Sequence, residues 1–282
     1  MILSYHPCFI ADKNLLCAGR KPNRDDLVEI RSAAAVILPQ GCDKSLYEMA
    51  QMNCRHIFPN YDARFKYMGK IGQIKLFREI GVVCPKTEVY HNISVYNWQY
   101  QDRYLEPNIG FPLVFKFNWG GEGRHVYLVK SPSELLNLLQ MATTFESGGQ
   151  SGFVIQEYVQ SGNRSLRVVV IGHTFISYWR IQRNRGNFSS SLAKGAVIDK
   201  NADVELQESA VQSVKDFCHK TGINLAGFDM LFSDDDNGSK PLFLEINYYF
   251  GRRGLGGSER FYDLLETEII KWIESLGLSF ER

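Results

Sequence analysis

Near the end of the chain, Leu242-Phe243-Leu244-Glu245-Ile246-Asn247 sets two oxygen-bearing side chains into an apolar run. As a strand of period two, it puts Glu245 and Asn247 on one face and sends Leu242, Leu244 and Ile246 to the core. The preceding apolar run, residues 226–232, carries Asp229. A hairpin turning at Asp236-Asn237-Gly238 sets Asp229 opposite Glu245, with Cβ atoms about 5 Å apart. Two carboxylates that close repel unless a cation lies between them. Magnesium fits, because it takes one or two carboxylates and completes its octahedron with water and substrate phosphates. The bland alternative is a solvated face on an edge hairpin. A calcium loop is excluded by register: with Gly238 at its sixth position, the first is Ser233 and the twelfth is Leu244, neither of which suits.

A second constellation lies upstream. Lys116 sits inside the apolar strand of residues 113–117 and needs an anionic partner, a carboxylate or a phosphate. Gly120, Gly121 and Gly123 follow in Asn118-Trp119-Gly120-Gly121-Glu122-Gly123, where absent side chains let backbone amides approach phosphate oxygens. The pair reads as a nucleotide lid, against the alternative of an ordinary hairpin turn. There is no third glycine of a dinucleotide fingerprint, no Gly-Lys-Ser/Thr, and none of the protein-kinase motifs.

The bulk properties narrow the class. The 282 residues are 44% hydrophobic, enough for a sizeable core in two or three lobes. Lys and Arg number 32 against 31 Asp and Glu, a formal charge of +1, so no overall field recruits nucleic acid or an anionic membrane. The run Arg180, Arg183, Arg185 lacks interleaved stacking platforms for RNA. Six cysteines are scattered without a C-x-x-C pair or zinc spacing and read as reduced thiols. No window approaches the ~18 apolar residues of a membrane span, and the N-terminus lacks a leader pattern, so a cytoplasmic protein is expected. The six histidines are dispersed, and none is given a catalytic role.

The elements that must position these residues fall into three regions. Residues 1–62 alternate strand and helix (2–5, 24–32, 34–38, 44–52, 55–58), a small parallel α/β domain. The long segment 7–23, with a short strand at 15–18, faces the substrate in this reading. Residues 63–153 begin with a helix over 62–79, ended by Gly81 and Pro85. A strand at 87–90, a polar aromatic loop through Pro107, the Lys116 strand, a strand at 126–129 and a helix over 132–143 complete an α+β lobe. Residues 154–282 hold strands at 154–158, 166–171 and 174–181, a helix over 203–220, the acidic hairpin and a closing helix over 259–276.

The order of these features resembles the ATP-grasp superfamily, and more closely its RimK-type branch of carboxylate–amine ligases, over roughly residues 63–250. The features are a helix lysine, a strand lysine, a glycine loop, Gln156-Glu157-Tyr158-Val159, an Arg-bearing strand, Gly-Phe-Asp and Leu-Glu-Ile-Asn. The resemblance implies two α+β lobes that sandwich ATP behind the N-terminal α/β domain. Lys70 and Lys116 match the nucleotide-binding lysines, and Gly120, Gly121 and Gly123 the loop over the phosphates. Gln156, Glu157, Tyr158 and Val159 match the hinge that meets adenine; Asp229, Glu245 and Asn247 match the metal set for Mg2+, with Mn2+ as a substitute. Arg167 matches the arginine after the hinge, and Lys194 a basic residue near the reacting centre. The chain departs from the pattern at Ser165, where the family has an acidic residue. It departs again at Tyr248-Tyr249-Phe250-Gly251-Arg252-Arg253, where small residues and proline usually follow the asparagine.

The implied reaction activates a carboxylate as an acyl phosphate and releases ADP. An amine then attacks, with Arg167, Arg180 and Lys194 stabilising the oxyanion. Arg252 and Arg253 suit a substrate carboxylate, or equally a solvated turn. Two rivals remain at this level: a phosphotransferase on the same fold, and a nucleotide-binding sensor without turnover. The sequence names neither the carboxylate nor the amine, and leaves oligomeric state, a homo-oligomer included, open.

Overall fold

A computed structural model of the chain describes residues 1–100, 107–121, 123–184, 188–234 and 240–279. Glu122, Arg185, Asn187 and the turn at Asp236-Asn237-Gly238 lie outside the described residues.

The chain opens with β1 (Ile2–Ser4), β2 (Lys13–Asn14), α1 (Arg24–Ser32), β3 (Ala35–Ile37), α2 (Lys44–Asn53) and β4 (Ile57–Phe58). The strands form a parallel four-stranded sheet in the order β2-β1-β3-β4. The extra strand falls at Lys13–Asn14 and not at 15–18. β1 is too short to pair beyond the bond from the Leu15 amide to Ser4 O at 2.9 Å. The chain is then drawn off by Arg20, whose guanidinium grips Asp26 at 2.6 and 2.8 Å. Asp26 also accepts from the Tyr5 hydroxyl and, in a capping box, from the Asn23 amide that opens α1.

The single helix expected over 62–79 is two, α3 (Asp62–Lys66) and α4 (Gly69–Ile80). The break is at Gly69, with φ of +68°, where a Cβ would collide with Asn118. Asn118 takes the start of α4 in hand: its carbonyl accepts from the Lys70 amide at 3.3 Å and its side chain from the Ile71 amide at 3.0 Å. There follow β5 (Thr87–Tyr90), α5 (Ile93–Tyr100), β6 (Leu113–Phe117), β7 (Val126–Val129), α6 (Pro132–Ser147) and β8 (Phe153–Glu157). α5 replaces part of the expected loop, because Ile93, Tyr96 and Tyr100 share one helical face and pack beside Tyr90. β8, read from sequence as opening the last lobe, instead pairs into this middle antiparallel sheet, ordered β5-β8-β6-β7. Leu113, Phe115, Phe117, Phe153 and Ile155 face a core under α6. The alternation leaves Lys116 and Gln156 on the other side.

The rest comprises β9 (Arg164–Ile171), β10 (Thr174–Ile181), β11 (Val197–Asp199), α7 (Val204–Thr221), β12 (Leu225–Leu231), β13 (Leu242–Asn247) and α8 (Ser258–Ser275). Its antiparallel five-stranded sheet runs β11-β10-β9-β12-β13. One face packs on α4 and α7 through Phe77, Phe217, Phe228 and Phe243. The other packs on α8 and the first sheet through Val169, Ile171, Phe261 and Ile37.

β13 departs from simple alternation. Its register with β12 pairs Asp229 with Glu245 but Met230 with Phe243, so Leu244 is the extra residue of a bulge. Phe243 and Ile246 therefore both enter the core, while Leu242 and Leu244, expected there, are only half-buried. All six cysteines are free thiols, and among the described residues no helix is long and apolar enough to cross a membrane.

Candidate active site

Lys70, Gln73 and Ile74 of α4, Lys116 of β6, Val154 and Gln156 of β8, and Leu244 and Glu245 of β13 line one narrow cleft. Four separate elements of the sequence reading thus meet. The two ammonium groups are buried. Lys70 Nζ donates to the carbonyls of Trp119 and Gly120 at 3.3 and 3.1 Å, at the root of the glycine loop. Lys116 Nζ donates to Gln156 Oε1 at 2.6 Å. Burial pulls both pKa values down, with Glu245 opposing; Lys116 falls to about 8, helped down by Lys70.

The hairpin brings Asp229, Glu245 and Asn247 to one side of the sheet, as its register requires, but it gives Asp229 partners the sequence did not announce. β9 pairs with β12 on the side away from β13, which sets Arg167 directly across from Asp229. Arg167 donates to both Asp229 oxygens at 2.5 and 3.1 Å, and Arg180 from β10 reaches Oδ1 at 2.7 Å. Asn247 Nδ2 donates to Oδ2 at 3.1 Å. Burial disfavours the charged carboxylate, but the two guanidinium groups prevail and hold its pKa below the usual range. Arg167, with two of the bonds, is pushed up by Asp229 against its own burial; Arg180, with one, is drawn down by burial.

Both oxygens of Asp229 are thus engaged by protein donors, Arg167, Arg180 and Asn247. Glu245 and the Asn247 Oδ1 have no hydrogen-bond or ion-pair partner among the described residues. These are hard oxygen donors, and they fit a magnesium ion whose remaining positions are filled by phosphate and water. Among the described residues no group of three or more His, Cys, Asp or Glu side chains is placed to hold a metal ion alone. Charge makes the same point. Lys70, Lys116, Arg167 and Arg180 stand against Asp229 and Glu245, an excess of two positive charges in a buried site.

Other expected residues are distributed around the cleft. Lys194 Nζ donates to Gly123 O at 3.3 Å, and a Cβ at Gly123, φ +72°, would press on Ser189 Oγ. The glycine loop and the 189–194 segment thus touch, and Gln182 ties the latter down through the Ser189 and Lys194 carbonyls. Gly121 has open space about it. Glu157 spends its amide on Lys86 O at 2.9 Å and its carboxylate on the Lys86 amide at 2.6 Å. Tyr158 and Val159, which follow, are half-buried. Ser165, where an acid was expected, accepts from Arg180 at 2.8 Å. Arg252 lies over the rings of Phe261 and Tyr262 at 4.5 and 4.4 Å, while Arg253 is exposed.

Two participants carried no sequence signal. Gln73 is one helical turn from Lys70 and grips the backbone of Ile246; only its i+3 spacing from Lys70 hinted at a shared face. Thr87, buried, accepts from Gln156 Nε2 at 2.8 Å and reads in sequence as one more β-branched strand residue. A second groove, between β10 and α7 and lined by Ser177, Lys200, Gln207 and Lys215, holds none of the expected residues.

The RimK-like ATP-grasp domain family matches residues 69–273. A probable alpha-L-glutamate ligase of Maridesulfovibrio salexigens is 25% identical over 208 residues, 73% of this chain, and the chain spans only 62% of that relative's length. The fold is similar to that of a RimK domain ATP-grasp protein from Sphaerobacter thermophilus, with TM-score 0.59, 12% identity, and 95% and 98% of the two chains covered. It is also similar to a D-alanine–D-alanine ligase from Bacillus anthracis solved with ATP, with TM-score 0.61, 19% identity, and 95% and 90% covered.

Proposed function

Because the chain belongs to the RimK-like ATP-grasp family, we propose that it is an ATP-dependent carboxylate–amine ligase, forming an amide through an acyl phosphate with release of ADP and phosphate. The observation that carries this reading is the excess of two positive charges buried around Lys70, Lys116, Arg167 and Arg180, which calls for an anionic ligand. Lys116 and Lys70 hold the phosphates, with the amides of Gly120, Gly121 and Gly123 above them. The Tyr158 and Val159 backbone meets the base. Glu245 and Asn247 hold Mg2+, and Asp229 orients Asn247 from behind. When bound, the metal neutralises phosphate charge during transfer. Arg167 and Arg180, fixed by Asp229, stand ready for the oxyanion, and Lys194 joins them from the covering loop. The contact between that loop and Gly123 keeps water from the activated carboxylate. Arg252, braced on two rings, borders the substrate with Arg253.

The relative's name makes glutamate the first amine to try. Free thiols and the proposed use of ATP support a cytoplasmic enzyme. The test is ADP release from MgATP with pooled amino acids and small carboxylates, for wild type and Glu245→Ala, followed by mass spectrometry of the product. Substrate-stimulated release, lost in the variant, with an amide formed, supports the ligase. A phosphorylated product with no amide makes it a phosphotransferase, and MgATP binding without release under any pool favours a sensor.

A further inference from the structure

Thr87, Gln156 and Lys116 stand in a row across β5, β8 and β6. Thr87 lies directly opposite Gln156 in register; Lys116 lies diagonal to it, since the direct partner of Gln156 on β6 is Val114. All three are buried, with Gln156 only 2% exposed. The hydrogen bonds run one way. Lys116 Nζ donates to Gln156 Oε1 at 2.6 Å, Gln156 Nε2 donates to Thr87 Oγ1 at 2.8 Å, and the Thr87 hydroxyl donates to Pro85 O at 2.7 Å.

A carboxamide has two ends of similar shape and opposite polarity. Only the oxygen end accepts from an ammonium; turned over, the amide sets two donors against each other in a dry place. Thr87 enforces the same direction from the far end. Its single proton is spent on Pro85 O, so it can only accept from Gln156, and that puts the NH2 end at Thr87 and the oxygen at Lys116. We infer that Thr87 is a positioning residue for nucleotide binding: through Gln156 it fixes the acceptor that holds the Lys116 ammonium in the cleft, ready for phosphate. The inference rests on the nucleotide reading given above. The groups facing Lys116 from other elements, Glu245 on β13, Lys70 on α4 and Asp229 on β12, do not duplicate the role, because Gln156 is the only one whose bond to it depends on Thr87. A buried ammonium without that bond is both less charged and free to turn away.

The test compares Thr87→Val, which keeps the shape and loses the hydroxyl, with Thr87→Ser, which restores it. Calorimetry gives the affinity for ATP and for adenosine, which lacks phosphate. Thr87→Val should bind ATP about tenfold more weakly, as expected for a hydrogen bond to a charged group. Adenosine binding should stay within about twofold of wild type, and Thr87→Ser should recover ATP binding. In a Gln156→Glu background, where both ends of the side chain accept, adding Thr87→Val should cost ATP affinity no more than about twofold. Unchanged ATP binding in Thr87→Val overturns the relay alone. So does an equal loss of ATP and adenosine, which marks a merely structural role, or a failure of Thr87→Ser to rescue. No ATP binding by wild type overturns the nucleotide reading itself and the relay with it.

Discussion

Gln73 holds Ile246 by both groups of its backbone: Nε2 donates to Ile246 O at 2.8 Å, and Oε1 accepts from Ile246 N at 2.9 Å. β13 is an edge strand, and on its open side the glutamine takes the place a neighbouring strand would fill. Ile246 lies between Glu245 and Asn247, and Gln73 lies one turn from Lys70. Lys70 and the oxygens of Glu245 and Asn247 are therefore positioned by one helix.

Replacing Gln73 with leucine keeps the volume and removes the clamp. The magnesium concentration for half-maximal ADP release should rise about tenfold, in line with other residues that orient metal ligands. Adenosine affinity should hold. A magnesium titration identical to that of wild type would sink the assignment.

Asp229→Asn leaves Arg167 and Arg180 buried against a neutral amide. Breaking a buried ion pair from one side costs about 3–5 kcal/mol, so the melting temperature should fall by on the order of 10 °C. Glu245→Gln, which breaks no ion pair among the described residues, should melt near wild type. Calorimetric melting of the two variants side by side separates the residue that builds the site from the residue that faces its ligand.

In the proposed reaction Lys116 binds phosphate as an ammonium, and burial has drawn its pKa down to about 8. As pH rises through that value the free enzyme loses the charge, so kcat/KM for ATP should fall on the alkaline side with a midpoint near 8. Lys116→Arg keeps its charge at all such pH values and should abolish this limb. An alkaline limb that persists in the arginine variant belongs to another group.

His6 sits at the end of β1, beside Tyr262 at 6.1 Å between ring centroids. Burial, and then Arg252, lower its pKa from 6.5 to about 4. Between those values the unfolded chain binds a proton that the folded chain refuses. Stability should therefore be lost as pH falls from 6.5 towards 4. His6→Gln should flatten that part of the curve in urea unfolding. A curve of the same slope would show that other groups govern the acid side.

Much of this molecule was legible in its sequence because local pattern sufficed. The strands at 87–90, 113–117, 126–129 and 174–181 stand where they were read, and so does α1. What was missed depends on distant pairing. Lys116 announced its need for a partner by sitting in an apolar strand, but Gln156 became that partner only when β6 joined β8. Asp229 was read against Glu245 because a hairpin is local. Its binding to Arg167 waits on the pairing of β9 with β12, which no short-range rule supplies. The break before α4 needed Asn118, nearly fifty positions on, to explain Gly69.

The extra residue in β13 gives that short segment two reading frames. Phe243 and Ile246 are spelled for the core at a spacing of three, which strict alternation forbids, and Glu245 is spelled for the cleft in between. Deleting Leu244 would bring the two frames into one: alternation would return, with Phe243 and Ile246 still in the core and Glu245 still between them on the cleft side, opposite Asp229. Along this stretch, homologous chains should vary freely in which apolar residue stands at each core position, and a chain one residue shorter at Leu244 should keep its site and lose only the bulge.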